Sequence, residues 1–329
     1  MAALVAADYI EPDLVLSKDG VLMVVYNEWL GDTTNVANLT QFADRKKQVQ
    51  DNSYPYRPQY FNKDFSVLRF DEYLDHIESL SKTLDRPFGV IPELKSPEVF
   101  NALFPAANGR GYEVKLLEIM TKRNYTLNQP PPLSPVMQIG DLLDKILNIK
   151  PKNYDKPNYK LAALQSFDSE TCEYLGKNTK IPIVSLDQNK PWMYTHKGLD
   201  KIASYSKILS PAKDLLLAGP AVYFEYNKIS YNKTEIESMG GFLQPKDLVR
   251  EAHKRRIELS PYTLPDSRQP SGLLCTKYND TRFEYCPENR KEEMFYFFDL
   301  GCDYVFVENI FEAQILCLAF DNKIDSKDC

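Results

Sequence analysis

The chain has 329 residues, 43% of them hydrophobic and 12% aromatic, which is ample for a buried core and excludes an intrinsically disordered protein. Its net charge is −6 and its isoelectric point lies near 5.3 without a Lys/Arg stripe, so we expect no nucleic-acid partner. No apolar run reaches the ~18–20 residues of a bilayer-spanning helix, so we expect no transmembrane segment.

Short apolar runs alternate along the chain with segments of helical periodicity. The predicted helices are 70–84, 139–149, 245–256 and 291–300, and the predicted strands are 7–14, 89–94, 161–167, 181–186, 207–210, 257–262 and 304–307. This alternation favours a parallel α/β sheet with right-handed crossovers. We expect one TIM-barrel (β/α)8-like domain over 1–329 that lacks or replaces its first strand. The polar, aromatic segment 26–70 is predicted to be a small insertion over the barrel mouth, after the second strand.

The cysteines and sequons bear on the cellular compartment. Six cysteines form an even set without a CxxC pair, which argues against zinc. Cys275 and Cys286 flank a polar loop and are the first candidates for a disulfide. Asn-x-Thr sequons begin at Asn38, Asn124, Asn232 and Asn279. These features favour a secreted or secretory-pathway glycoprotein. The first seven residues are too short for a signal peptide, and a cytoplasmic location is the alternative.

Charged residues lie two apart at the ends of two predicted strands. Glu11 and Asp13 share one face of the first strand, and Glu93 and Lys95 share one face of the second. Carboxylate oxygens suit hard cations such as Ca²⁺ or Mg²⁺, and a lysine steadies phosphate. The pattern predicts a site for a divalent cation and a small phosphate-bearing ligand. Gln165, Ser260 and Tyr262 occupy the corresponding ends of other predicted strands.

The segment Asp-Tyr-Ile-Glu-Pro-Asp-Leu-Val-Leu-Ser-Lys-Asp-Gly at 8–20 resembles the second-strand signature of glycerophosphodiester phosphodiesterases. The likeness continues at 33–36, 42–46, 92–95, 165–167, 247–249 and 261–263, and it is greatest to the long plant-like and bacterial periplasmic members. It implies a TIM barrel and metal-dependent hydrolysis of glycerophosphodiesters to an alcohol and glycerol 3-phosphate. It also implies that Glu11, Asp13 and Glu93 bind Ca²⁺ or Mg²⁺ and that Lys95 is catalytic, neutralising phosphate charge. Gln165, Phe167, Ser260, Tyr262 and Glu308 are expected to line the pocket.

The sequence departs from this family at its acid–base positions. The family's first strand carries a His-Arg-Gly run that has no counterpart here, and Tyr26 stands where the second catalytic histidine is expected. Ser260 replaces the common histidine before Pro-Tyr-Thr, and Glu308 follows Val307 where Thr-Asp is common. A tyrosine carries protons less well than a histidine at neutral pH. We therefore expect weak or no diesterase activity at a degenerate site that is reused for binding or other chemistry.

Two alternative interpretations stay open at this stage. The chain is an N-terminally truncated form of an active secreted phosphodiesterase, or it is a structural secreted protein whose charged residues survive as salt bridges. The sequence leaves undecided whether the protein is an enzyme, which ligand it takes and which oligomeric state it adopts.

Overall fold

The structure is a computed structural model that describes residues 7–26, 40, 66–85, 88–106, 108–125, 160–264 and 287–325. These residues fall into two compact units. The amino-terminal unit lies within Asp8–Pro130 and Lys156–Ile181, and most of the carboxy-terminal unit lies within Pro182–Cys329. Most of the expected insertion over 26–70 and the predicted helix 139–149 lie outside the described residues, so these predictions and that of a single domain stay predictions.

The amino-terminal unit combines short strands with longer helices. Its described strands are β1 (Tyr9–Ile10), β2 (Asp13–Leu16), β3 (Leu22–Val24), β4 (Gly89–Val90), β5 (Glu93–Leu94) and β6 (Leu164–Ser166). Its described helices are α1 (Phe70–Thr83), α2 (Pro97–Leu103), α3 (Gly111–Lys122) and α4 (Ser169–Asn178). The predicted strands 7–14 and 89–94 are each divided in two, since Pro12 and Pro92 carry no N–H for a continuous ladder.

Parallel pairing sets the register of three strands in this unit. Strand β2 pairs parallel with β5, with Asp13 opposite Glu93, and β5 pairs parallel with β6, with Glu93 opposite Gln165. Strand β3 folds back antiparallel on β2. Residues in register on neighbouring strands point to the same face of a sheet. Asp13, Glu93 and Gln165 therefore stand in one row.

Helix α1 confirms the prediction over 70–84 and buries one of its faces. Phe70, Leu74, Ile77 and Ser81 are buried, whereas Leu80 is 38% exposed. The helix begins with a capping interaction, in which the backbone N–H of Arg69 donates to Glu72 Oε2 at 3.0 Å.

Tyr112 on α3 anchors strand β2. Its side chain is fully buried, and its hydroxyl donates a hydrogen bond to the carbonyl of Leu14, which is also fully buried. We expect Tyr112→Phe to lower the free energy of unfolding by about 1–2 kcal/mol, because a buried carbonyl loses its side-chain donor. Urea unfolding measures the change, and Tyr174→Phe, at an exposed hydroxyl that accepts from Asn108, is the control. Equal effects of the two changes would contradict a specific role for Tyr112.

The carboxy-terminal unit repeats the strand–helix alternation. Its described strands β7 (Ile183–Asp187), β8 (Ile208–Pro211) and β9 (Glu258–Leu259) are parallel, with β8 paired to both of the others. Its described helices are α5 (His196–Ala203), α6 (Lys213–Ala218), α7 (Pro220–Tyr226), α8 (Lys233–Ser238), α9 (Pro245–Lys254), α10 (Arg290–Leu300) and α11 (Ile310–Asp325). A 3-10 turn, Pro191–Tyr194, precedes α5. No helix in the described ranges is both long and apolar enough to cross a membrane.

The predictions for this unit are confirmed at its helices and corrected at its last strand. Helix α10 ends at Gly301, whose φ of 91° is the left-handed conformation that favours glycine at a helix end. The predicted strand 304–307 is wrong: it forms a single bridge, between Val307 and Leu264. The backbone N–H of Phe306 donates to the carbonyl of Pro261, but Pro261 has no N–H to extend the ladder.

The described cysteines and sequons leave the compartment predictions untested. Cys172, Cys302 and Cys317 form no disulfide with one another, whereas Cys275, Cys286 and Cys329 lie outside the described residues. Asn124 and Asn232 are exposed, and Asn38 and Asn279 lie outside the described residues. The disulfide, glycosylation and secretory predictions stay predictions.

Candidate active site

The strand ends of the amino-terminal unit bring together the charged residues that the sequence singles out. Glu11, Asp13 and Glu93, called the carboxylate cluster below, each offer an oxygen atom, and these atoms lie within 4.8 Å of one another. Glu93 is 4% exposed, and Glu11 and Asp13 are partly exposed. The predicted convergence of the two charged pairs is therefore observed, whereas the use of the cluster by a metal stays a prediction.

Lys95 is the cation nearest to these carboxylates among the described contacts. Its Nζ lies 3.0 Å from Asp13 Oδ1 and 2.8 Å from Glu93 Oε1. The contact with Glu93 is a close ion pair without the alignment of a hydrogen bond, since Glu93 Oε1 has no well-aligned donor. If all were ionised, three carboxylates would face one ammonium, an excess of two negative charges.

Gln165 takes a larger part in the site than the predicted pocket wall. It is 1% exposed, and its Nε2 donates to Glu11 Oε1 at 2.7 Å. Its own Oε1 is buried without a hydrogen-bond partner. A buried acceptor without a partner costs free energy unless a cation or donor satisfies it. Gln165 thus orients Glu11 and leaves one oxygen free for a ligand.

Burial, followed by the charges of neighbouring residues, shifts the pKa values of the cluster. Removal from water, followed by the charges of Asp13 and Glu93, raises the pKa of Glu11 well above its ordinary value. Burial also raises the pKa of Glu93 to about 7, against an opposing effect of Lys95. Burial lowers the pKa of Lys95, but the charges of Glu93 and Asp13 outweigh it, so the net pKa is raised. The surroundings of the cluster therefore favour the protonated forms of Glu11 and Glu93.

These shifts predict that the metal-free protein loses stability as the pH rises. Glu93 has an ordinary pKa of 4.5, raised to about 7 in the fold, so between these values the folded state binds more protons than the unfolded state. Rising pH in this window then lowers the free energy of unfolding, by on the order of 2 kcal/mol. Urea unfolding in EDTA at pH 5 and pH 7.5 measures the slope. Glu93→Gln should flatten it, and an unchanged slope would contradict the assignment.

Two aromatic rings flank Lys95 at the open side of the site. The ring centroid of Tyr26 lies 4.7 Å from Lys95 Nζ, and that of Phe167 lies 5.9 Å from the same atom. Tyr26 is 42% exposed. Tyr26 and Phe167 thus lie beside Lys95, whereas their roles in the site stay predictions. Tyr26 contacts the lysine through the face of its ring.

The remaining predicted pocket residues belong to the carboxy-terminal unit. Ser260 is buried, and its carbonyl accepts a hydrogen bond from Ser210 Oγ. Tyr262 donates from its hydroxyl to the carbonyl of Asp187 at 3.3 Å. Glu308 is exposed, and its backbone N–H donates to the carbonyl of Leu264. Their part in a pocket stays a prediction.

Sequence reasoning does not single out Tyr73, which lies on α1 close enough to Glu11 for the two side chains to interact electrostatically. Burial, followed by the Glu11 charge, raises the pKa of Tyr73. Its only sequence signal is an aromatic residue inside an amphipathic helix, and most such residues only pack. Tyr73 therefore contributes to the low-dielectric surroundings that raise the pKa of Glu11.

The chain is similar to glycerophosphodiester phosphodiesterases in sequence. The model of the Glycerophosphoryl diester phosphodiesterase family matches residues 1–108, which include the carboxylate cluster and Lys95. Glycerophosphodiester phosphodiesterase GDPD6 of Arabidopsis thaliana is 27% identical over 315 residues, covering 85% of this chain and 72% of that protein. A glycerophosphodiester phosphodiesterase of Haemophilus influenzae is 22% identical over 291 residues, covering 80% of this chain and 72% of that protein.

A solved structure shows the fold. The crystal structure of a candidate glycerophosphodiester phosphodiesterase from Galdieria sulphuraria matches 97% of this chain and 88% of its own, with a TM-score of 0.50 and 12% identity. At this identity the likeness concerns the fold alone, and that fold is the TIM barrel. The predicted fold class is thereby confirmed.

Proposed function

The chain belongs to the glycerophosphodiester phosphodiesterase family, and on this premise we propose that its carboxylate cluster binds Ca²⁺ or Mg²⁺ next to a small phosphodiester. The observation that carries the proposal is the convergence of Glu11, Asp13 and Glu93, with oxygens within 4.8 Å of one another. Residues from two separate strands meet there through the register of β2 and β5.

The donor set and its charge fit a hard divalent cation. All three carboxylates offer oxygen, the ligand atom that Ca²⁺ and Mg²⁺ prefer. The free Oε1 of buried Gln165 is a fourth oxygen in the same row. Burial, together with the neighbouring carboxylates, raises the pKa of Glu11 and of Glu93, and a divalent cation would offset both effects by stabilising the ionised forms. A purely structural salt-bridged core would leave the buried Oε1 of Gln165 without a partner, and this disfavours that alternative.

The protein's own residues bind and orient the phosphodiester in this proposal. A bound divalent cation supplies charge neutralisation and polarisation of a phosphoryl oxygen. Lys95 donates from Nζ to a phosphate oxygen and stabilises negative charge that develops on it. Gln165 holds Glu11 in place by the 2.7 Å hydrogen bond to Oε1. These parts suffice to bind a phosphodiester and to stabilise charge on it.

Proton transfer is the weak part of the chemistry. Hydrolysis needs a group that takes a proton from water and one that protonates the leaving alcohol, each typically contributing about 10²–10⁴-fold. His76 is exposed on α1, His196 lies 3.7 Å from Glu251, and His253 lies 2.8 Å from Asp303. With its histidines on these helices, the chain is proposed to hydrolyse glycerophosphodiesters slowly.

A coupled assay for glycerol 3-phosphate tests both parts of the proposal. Release from glycerophosphocholine and glycerophosphoethanolamine is measured with Ca²⁺, Mg²⁺ or EDTA, beside an active family enzyme. We expect cation-dependent turnover at least about 100-fold below that enzyme, abolished by Asp13→Asn. Asp19→Asn is the matched control, since Asp19 lies in the exposed turn between β2 and β3 and pairs with Ser17. Insensitivity to EDTA would contradict the cation site, and family-level turnover would contradict slow chemistry.

A further inference from the structure

Lys95 contacts two of the three carboxylates that a divalent cation would use. Its Nζ lies 3.0 Å from Asp13 Oδ1 and 2.8 Å from Glu93 Oε1, two of the three carboxylates of the cluster. The ring of Tyr26 lies against the same ammonium, with its centroid at 4.7 Å, inside the range of a cation–π contact. The positive charge of the site is therefore already held in place by three groups.

We propose that Lys95 is an internal cation of the carboxylate cluster, retained by the ring of Tyr26, and that it turns away when a divalent cation binds. This inference rests on the proposed function and adds a regulation to the same site. Tyr26 is then a positioning residue that acts through its ring on Lys95. The hydroxyl of Tyr26, which the sequence suggests as a replacement for a histidine, has no part in this role.

Distance and charge prevent the Lys95 ammonium and a divalent cation from pairing with the carboxylate cluster at the same time. Ca²⁺ binds carboxylate oxygens at about 2.3–2.6 Å. An ammonium about 3 Å from the same oxygens would then lie within a few ångströms of a doubly charged ion, where repulsion is strong. Lys95 has a long flexible stem and a side chain that is 20% exposed, so it has a route toward solvent. Tyr26 is 42% exposed and can follow.

The displacement gives the site an order of binding. While Nζ is paired with Asp13 and Glu93, it is poorly placed to donate to a phosphate. A divalent cation that takes over these carboxylates frees Nζ beside the cation, where a phosphate oxygen can accept its hydrogen bonds. The cation is therefore expected to bind first, and the phosphodiester second.

Calorimetric titration of the folded protein with Ca²⁺ tests the retention by Tyr26. Loss of the aromatic face in Tyr26→Leu should release Lys95 more easily and raise Ca²⁺ affinity about three- to tenfold. Tyr26→Phe keeps the ring and should match the parent. The Tyr26→Leu effect should disappear in the Lys95→Gln background, since the coupling runs through the ammonium. Thermal unfolding verifies that each variant is folded.

Amine labelling read by mass spectrometry tests the displacement without any activity assay. Lys95 should react at least about threefold faster with an acylating reagent when Ca²⁺ is present, because its Nζ leaves the carboxylates. Lys160 is the internal control, since it also lies over a tyrosine ring, that of Tyr125 at 5.1 Å, and pairs with Glu78 outside the carboxylate cluster. Its labelling should not change.

The outcomes separate this inference from the proposed function. Ca²⁺ binding with unchanged or weaker affinity in Tyr26→Leu, or with unchanged Lys95 labelling, would overturn the internal-cation role and leave the cation site standing. An equal effect of Tyr26→Phe and Tyr26→Leu would assign the role to the hydroxyl and overturn the inference as well. Absence of any Ca²⁺ or Mg²⁺ binding to the folded parent would overturn both.

Discussion

Replacing Glu11 by glutamine is expected to abolish divalent-cation binding while leaving the metal-free protein at least as stable as the parent. The pKa of Glu11 is raised well above its ordinary value by removal from water and by Asp13 and Glu93. Burial and the neighbouring carboxylates therefore disfavour the ionised form of this side chain in the metal-free fold, and a glutamine has nearly the same shape as the neutral form. At this position a carboxylate favours cation binding, whereas a neutral side chain favours the stability of the metal-free fold.

The expected loss of Ca²⁺ affinity is at least about 100-fold. Mutating a residue that only hydrogen-bonds to a metal ligand already lowers metal affinity about 10–100-fold, and Glu11 is proposed to be a ligand itself. Calorimetric titration and urea unfolding in EDTA, both at pH 7, measure the two properties. Glu98→Gln on α2 is the matched control, since Glu98 is exposed at the start of that helix. Retained affinity would remove Glu11 from the ligand set. Clear destabilisation in EDTA would mean that the carboxylate is ionised in the metal-free fold.

The parts of the site that follow from local geometry could be predicted from the sequence. Residues two apart on a strand share a face, so Glu11 with Asp13 and Glu93 with Lys95 were expected to point together. The order of strands and helices also predicted the parallel α/β fold. A glycine directly after a helical run also indicates where a helix ends, as Gly301 does after α10. Each of these inferences needs only neighbouring residues.

The parts that depend on contacts between distant segments could not be predicted. The row of Asp13, Glu93 and Gln165 is set by the pairing register of three strands, which no local pattern encodes. The ion pair of Lys95 with Asp13 depends on a distance of 3.0 Å between neighbouring strands. The strand predicted at 304–307 failed because its pairing depends on Pro261, more than 40 residues away along the chain.

Replacing Lys213 by methionine is expected to cause the largest loss of stability among the changes considered. Lys213 begins α6, and its Nζ contacts both carboxylate oxygens of Glu293, at 2.9 and 3.0 Å. The two residues are 5% and 1% exposed. Removing one partner of a buried ion pair leaves an uncompensated charge and typically costs about 3–5 kcal/mol. Urea unfolding at pH 8 measures the loss, and Arg250→Met, from an exposed pair with Asp247, should change stability by less than about 1 kcal/mol.

The pH dependence of the Lys213→Met effect identifies its cause. Burial already raises the pKa of Glu293, and Lys213 opposes that rise, so its loss should raise this pKa further. A carboxyl with a raised folded pKa favours the folded state at low pH, and this advantage is lost as the pH rises. The destabilisation should therefore shrink between pH 8 and pH 5. Adding Glu293→Leu should restore much of the stability at pH 8, because two apolar side chains replace the pair without a buried charge. A loss that persists at pH 5 and in the double variant would instead assign the effect to packing of the lysine stem.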